Sequence, residues 1–418
     1  MGNNIPQGYK ATALGIIPQE WEVRPLNYLG AICSGGTPDT EVAEYWNGDI
    51  AWCTPSDITK LDTKYIESTE VKITAKGLKE SSATLLPPRS IVVCTRATIG
   101  NAAICNTEIA TNQGFKNIIP NEKTNPEWLY YIIIYSKPRL VRLGCGSTFL
   151  EVSKKDFSRF KIAVPPLAEQ RKIAEVLGVW DEAIEKQARL IEKLALRKRA
   201  LMQRLLSAKL RLPGFSEPWK KVKLGDIGKF NKGYGVPKES IRNTGNKAIT
   251  YGEIYTKHDF VIKKFTSYID DETAVASKKI TQGAILFTGS GETLEDIGKC
   301  VAFIDNDIAY AGGDIIIFNP SIEINSLVLS YCLNSAPVNA QKTTYGQGHS
   351  VVHIYQKDLA KLQVTIPSFS EQTAIAEVLT AADREIELAK EKLERLRRQK
   401  RGLMQQLLTG KKRVKYGN

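Results

Sequence analysis

Histidine and methionine are scarce, with three of each in 418 residues, and there are only seven cysteines. The cysteine number is odd and no C-x-x-C pair occurs, so the thiols read as reduced and structural rather than as a disulfide or zinc framework. His349 and His353 stand four apart, but neither they nor His258 has a third ligand at useful spacing, which excludes a zinc enzyme. The stretch Gly298-Lys299-Cys300 imitates a phosphate loop, yet Cys300 replaces the hydroxyl residue and Thr293 stands where a glycine is needed. No Gly-x-Ser-x-Gly elbow, histidine-centred triad or Asn/Asp-Pro-Pro-aromatic stretch is present. Pro38-Asp39 followed by Asp62-Thr63-Lys64 is too loose to mark a nuclease. No catalytic residue, metal site or cofactor is assigned to this chain. The densest apolar run, Trp128 to Tyr135, is too short to span a bilayer. The opening MGNNIPQGYK lacks an apolar signal core, so a cytoplasmic protein is expected.

Positive charge is plentiful. Lys and Arg number 58 against 45 Asp and Glu, a formal net charge of +13. A surplus of that size favours a polyanionic partner, nucleic acid before an anionic membrane. At roughly 150 residues per domain, the length allows two to four structural units.

The main feature is a duplication. Glu169 to Leu177 reads EQRKIAEVL, and Glu371 to Leu379 reads EQTAIAEVL. Half of the positions from Glu169 to Leu206 are identical to those 202 residues later, with no gap. The register extends upstream, where Gly144, Gly146, Asp156 and Pro165 meet Gly346, Gly348, Asp358 and Pro367. Downstream, Leu201-Met202-Gln203 meets Leu403-Met404-Gln405. A weaker echo, WEVRPL from Trp21 and WKKVKL from Trp219, opens each half. Between echo and phrase the halves diverge. Thr95 is aligned with Thr288, Ala110–Gln113 with Tyr310–Gly313, and an insertion falls near 292–297. The layout is variable, repeat, variable, repeat, that is, a tandem duplication.

In the first repeat, apolar residues recur at Ile173, Leu177, Trp180, Ile184, Ile191, Leu194, Leu201 and Leu205. In the second they fall at Ile375, Leu379, Ile386, Leu393, Leu396, Leu403 and Leu407, with Ala382 and Ala389 in the same stripe. Steps of three, four and seven make a heptad seam on a helix. Each helix covers about 40 residues, hence roughly 60 Å at ~1.5 Å per residue. So narrow a stripe on so long a helix needs a partner helix, and the other copy is the obvious one. Polar residues interrupt the seam at matched places, Gln187 with Ala389 and Lys198 with Lys400, where they can fix register. An antiparallel pair would relate the halves by a pseudo-two-fold axis and hold the variable domains apart on a rigid spacer.

The variable domains mix helix and strand. Ser90–Cys94, Ala284–Thr288 and Asp314–Phe318 read as strands, whereas Trp128–Tyr135 is open between helix and strand. Both domains are read as α/β with a curved sheet. The bounds are 1–163 for the first domain, 164–212 for the first long helix, 213–365 for the second domain and 366–418 for the second helix. Loops rich in glycine, hydroxyl, amide and basic groups supply the candidate DNA contacts. In the first domain these are Ser34, Gly35, Gly36, Thr37, Arg96, Thr98, Asn112, Gln113 and Lys116. In the second they are Asn231, Lys232, Tyr234, Thr288, Ser290, Tyr310, Tyr345, Gln347 and His349. Such side chains bond base edges or phosphates.

The helix phrase Pro-x-x-x-Glu-Gln followed by Ile-Ala-x-Val-Leu, at Pro165–Leu177 and Pro367–Leu379, resembles the DNA-specificity subunits of Type I restriction–modification systems. So do SGGTP from Ser34, Thr98-Ile99-Gly100 and ATNQGF from Ala110. The second domain departs from these loop phrases, with Gly233-Tyr234-Gly235 and Ala309–Gly313. The resemblance implies two α/β target-recognition domains separated by two long antiparallel paired helices. It also implies a non-catalytic role, reading a two-part DNA target with an unspecified gap. Double-stranded DNA, two methylation subunits carrying S-adenosylmethionine and two translocase/nuclease subunits are the implied partners. A coiled-coil scaffold joining two protein-binding domains is the alternative.

Overall fold

The computed structural model describes residues 5–144, 150–348 and 351–415; Cys145, Gly146 and His349 lie outside these. The chain forms two compact units, one of Met1–Leu190 with Ala389–Asn418 and the other of Ile191–Leu388.

In the first unit a five-stranded sheet runs Gly30–Ser34, Phe115–Pro120, Ile91–Cys94, Ala102–Cys105, Tyr65–Ile66, with a three-stranded sheet Ile109–Thr111, Trp46–Cys53, Lys72–Ile73 beside it. Each unit therefore contains two main sheets rather than one curved sheet. In the first unit the strands part at Asn112–Gly114, where Asn112 Oδ1 accepts the Gly114 N–H at 2.9 Å. This side-chain turn sends consecutive strands into different sheets. The apolar run from Trp128 is helical. Asn125 caps the helix Pro126–Val141, and Pro126 occupies its first turn. Trp128, Leu129, Ile132 and Ile133 are buried with Trp21, Leu26 and Ile118.

The second unit repeats the plan. One sheet runs Gly228–Lys232, Ile315–Pro320, Ile285–Thr288, Cys300–Ala302; the other runs Ser267–Ile269, Asn246–Ile249, Ala309–Ala311, Lys278–Ile280. The helix after the first sheet is broken into Ser326–Leu333 and Ala336–Tyr345. Ser335 takes an extended conformation at the break, and Pro337 stands in the first turn of the second piece, where proline is tolerated. The six described cysteines are free thiols, and burial pushes Cys94 up to about 11 and Cys105 to about 12.

The echoes WEVRPL and WKKVKL form strands that pair with the strands leading into the repeats. Glu22–Pro25 pairs with Lys161–Val164, and Lys220–Lys223 with Gln363–Ile366. The long helices follow, Leu167–Leu206 and Phe369–Leu407. Within the first unit, the start of the first helix lies against the end of the second. Glu169 takes Arg413 at 2.6 and 3.0 Å, Asp181 takes Lys400, and Gln187 donates to the Ala389 carbonyl at 3.0 Å. Rising numbers on one helix meet falling numbers on the other, so the pairing is antiparallel. The second unit carries the same contacts with the copies exchanged: Glu371 takes Arg211 at 2.7 and 2.9 Å, and Lys198 donates to Asp383 at 2.7 Å.

The seam mixes buried and half-buried residues along its length. Ile173, Leu177, Leu205, Ile375, Leu379, Leu393 and Leu407 are buried, whereas Trp180, Ile184, Ile191, Leu194, Leu201, Ile386, Leu396 and Leu403 keep partial exposure. The end residues are shared with the domain cores. Ile173 and Leu407 cluster with Trp21 and Trp128; Ile375 and Leu205 cluster with Val328 and Tyr331.

Candidate nucleic-acid interface

The three glycine- and amide-rich phrases of the first unit converge at one end of its five-stranded sheet. Ser34 ends its strand with Lys116 as cross-strand partner. The Gly35 N–H donates to Phe115 at 3.3 Å, and the Gly36 N–H to Thr111 at 2.9 Å. A Cβ on Gly35 would stand 1.9 Å from the Asn112 carbonyl oxygen. These glycines serve approach by the chain itself. Thr37 donates to Oε1 of the exposed Gln113. Arg96 is exposed and paired with Glu151 at 2.6 Å; Lys116, nearly buried, reaches the same carboxylate at 3.4 Å. The hydrogen bond from Arg96, aided by both cations, holds the Glu151 carboxyl below its usual range.

The second unit holds its own residues on the same frame. The Gly233 N–H donates to Ile315 at 2.8 Å and the Tyr234 N–H to Ala311 at 3.1 Å, as Gly35 and Gly36 do. The Asn112 N–H donates to Cys53, and the Gly312 N–H to Ile249, both at 3.0 Å. Capping boxes follow at matched places, Thr54 with Asp57 and Thr250 with Glu253. The alignment of 110–113 with 310–313 therefore stands, but that of Thr95 with Thr288 shifts by one. Ile315 faces Thr288 across the sheet as Phe115 faces Cys94. Arg96 thus corresponds to Ser290, and Glu151 to His353. The chance identity of two threonines concealed this register.

A concavity of about 650 Å³ opens in the second unit between Lys232, Ser290, Asp314, His353, Tyr355 and Lys357. Ser290 Oγ and His353 Nδ1 are 3.1 Å apart, and Gly289 and Ser290 lie on the edge facing His353. Tyr234 and Lys232 are exposed, and Asn231 is half-buried.

Several candidates belong to the frame instead. Thr98 Oγ1 is inaccessible to solvent. Thr288 is buried and donates to the Tyr255 hydroxyl at 2.8 Å. Tyr310 is buried with Val236 and Ile269, because its strand is central in its sheet. Tyr345 packs on the core beneath the first sheet of its unit. Gln347 is exposed, but its backbone is paired with His353 at 2.8 and 3.0 Å. Glu151, His353, Tyr355 and Lys357 were missed by sequence reasoning. Their signal was present: 151 and 353 are 202 apart and differ, just before the matched Asp156 and Asp358. Among the described residues no cluster of three or more His, Cys, Asp or Glu could hold a metal, and no helix is long and apolar enough to cross a membrane.

The model of the Type I restriction modification DNA specificity domain matches residues 18–195 and again 216–398. The MjaIX specificity subunit of Methanocaldococcus jannaschii is 32% identical over 310 residues, covering 69% of this chain and 70% of that one. A putative MjaX specificity subunit from the same organism is 24% identical over 442 residues, covering 98% and 97%. The fold is shared with a chain from a type I R-M system solved for its assembly and conformational transition (TM-score 0.64, 18% identity, 94% and 99% covered). It is also shared with the S subunit from M. genitalium (TM-score 0.53, 16% identity, 98% and 97% covered).

Proposed function

Since this chain belongs to the family of Type I restriction–modification DNA specificity domains, we propose that it is the specificity subunit that reads a two-part, asymmetric duplex target. Residues 1–163 read one half-site and 213–365 the other, each chiefly in the major groove, where all four base pairs differ. The helical segments 164–212 and 366–418 set the gap between them. The carrying observation is a duplicated hydrogen-bonded frame holding unlike side chains at its open edge, Arg96 and Glu151 in one unit and Ser290 and His353 in the other. Two copies of one reader with different reading residues fit a target with two different halves. The net charge of +13 supplies a salt-dependent phosphate contribution. The family match removes the alternative of a coiled-coil scaffold joining protein-binding domains.

Chemistry is placed on partners. Two methylation subunits carrying S-adenosylmethionine dock on this chain, and two translocase/nuclease subunits complete a complex that works on DNA in the cytoplasm. The test is to map modified adenines in a host with and without this chain. A two-part motif with a constant gap is expected. Inserting one heptad at matched places in both long helices adds about 10 Å, near three base pairs at ~34 Å per turn. The gap should lengthen while both half-sites stay the same. An uninterrupted motif, or a gap indifferent to the insertion, rules the reading out.

A further inference from the structure

The equivalence of Arg96 with Ser290 and of Glu151 with His353 identifies two positions, not two loops. In each unit the residue two past the end of Ile91–Cys94 or Ile285–Thr288 meets the residue five before the 202-spaced aspartate, Asp156 or Asp358. The Val152 N–H donates to Thr95, and the Ile354 N–H to Gly289, both at 3.0 Å. Backbone pairing therefore holds the two side chains next to each other in both units: Arg96 faces Glu151, and Ser290 faces His353. The backbone pairing beneath is duplicated, while this pair is not.

We infer that this facing pair is the specificity-determining element of each half-site, with Arg96 held by Glu151 to read a guanine. The inference rests on the reading above. Arg96 is 44% exposed, so its fork is available, and Glu151 fixes its direction at 2.6 Å. An arginine so held presents two parallel donors, which match the O6 and N7 acceptors of guanine. A phosphate contact would need no carboxylate beside it, since Glu151 repels phosphate. Lys116 sits behind Glu151 with a side chain only 7% exposed, so it tempers the carboxylate charge without reaching the ligand. In the second unit the exposed imidazole is His353, held at Nδ1 by the hydroxyl of Ser290, 3.1 Å away and only 7% exposed, and each group can donate or accept. They line the concavity with Lys232 and Lys357. That set takes a base edge of another pattern, so the second half-site differs at the equivalent position.

The test is selection from a randomised duplex library by the full chain with the subunits that co-purify with it. The wild type is compared with R96Q, R96K and S290A. R96Q is expected to lose about tenfold or more of its preference for one G·C pair in one half-site, with the other half-site unchanged. R96K retains the charge but not the fork, and loses the same preference. S290A alters only the other half-site. The unchanged half-site in each variant shows that the chain is folded. Uniform weakening of all sequences by R96Q, or unchanged preferences in all three variants, overturns the inference and leaves the two-part reading intact. A wild type that selects no two-part sequence overturns both.

Discussion

Gln187 donates through Nε2 to the carbonyl oxygen of Ala389, 3.0 Å away, and Ala389 is the residue 202 positions on, the counterpart of Gln187 itself. A position that meets its own copy fixes the register of an antiparallel pair. The amide is buried, and the carbonyl lies inside a helix that already uses it. Gln187 therefore contributes register more than stability, as polar residues in helix seams do. Gln187→Leu should raise the urea unfolding midpoint of the full chain, equivalent to roughly 1 kcal/mol. A lowered midpoint would show the hydrogen bond to outweigh the apolar contact.

Each unit closes on a buried carboxylate. Glu169 is held by Arg413 and by Trp21 Nε1 at 2.8 Å; Glu371 is held by Arg211 and by Trp219 Nε1 at 3.1 Å. Removing one partner of such a set leaves the other uncompensated. The arginines are about one-quarter to one-third exposed, which lowers the cost below that of a fully buried pair. Glu371→Gln should destabilise by about 2 kcal/mol, and Glu169→Gln by a similar amount, as measured by chemical unfolding. A loss under about 0.5 kcal/mol, typical of surface pairs, would count against this role for the carboxylates.

Gly35 and Gly233 occupy equivalent places where a side chain has no room. Their added Cβ atoms would stand 1.9 Å from the Asn112 carbonyl and 2.2 Å from the Gly312 carbonyl. Backbone must move to admit either. Gly35→Ala should disturb the loop carrying Asn112 and Gln113 and cost on the order of 2 kcal/mol or more. Sequence preference should be lost in one half-site alone, and Gly233→Ala should affect the other. Mapping the bound or modified motif for each variant tests this. Loss of the same half-site from both would break the assignment of one reader to each.

The long helices, their seam and the duplication were legible because a repeated phrase and a heptad period survive in the residues themselves. Strands such as Ile91–Cys94 and Ile315–Pro320 were legible because they are buried on both faces and hence continuously apolar. The division into two sheets was not, because it depends on a three-residue turn in each unit, at 112–114 and at 312–314. The candidate site was half legible. Ser34, Arg96 and Gln113 lie at the open edge, but Thr288 and Tyr310 carry the same polar chemistry and face inward. Side-chain type does not tell direction along a short strand; register does. Glu151 and His353 were invisible as motifs because their role comes from the residue opposite, more than 50 positions away in each case.

Lys342 stands in the core of the second unit, with no salt bridge to a carboxylate among the described residues. It is 1% exposed, and its ammonium donates to the Gly298 carbonyl at 2.8 Å and to Asn339 Oδ1 at 3.1 Å, with the Phe287 ring 6.0 Å away. Desolvation by burial pushes its pKa below the ordinary lysine value, against a weak opposing pull from Cys300. The sign follows from proton counting. Between the lowered folded value and the unfolded value near 10.5, the unfolded chain binds more protons, so stability rises with pH. Below that window the full cost of burying the charge is carried; above it the cost is gone. Lys342→Met keeps the length and removes the charge. Its stability relative to the wild type should be greatest at pH 7 and should shrink as pH climbs toward 10.5. Thermal or urea unfolding of both proteins across pH 7–10 reads the difference. A difference that is flat with pH would mean that Lys342 keeps an ordinary pKa in the fold, its two acceptors and the aromatic face fully replacing water.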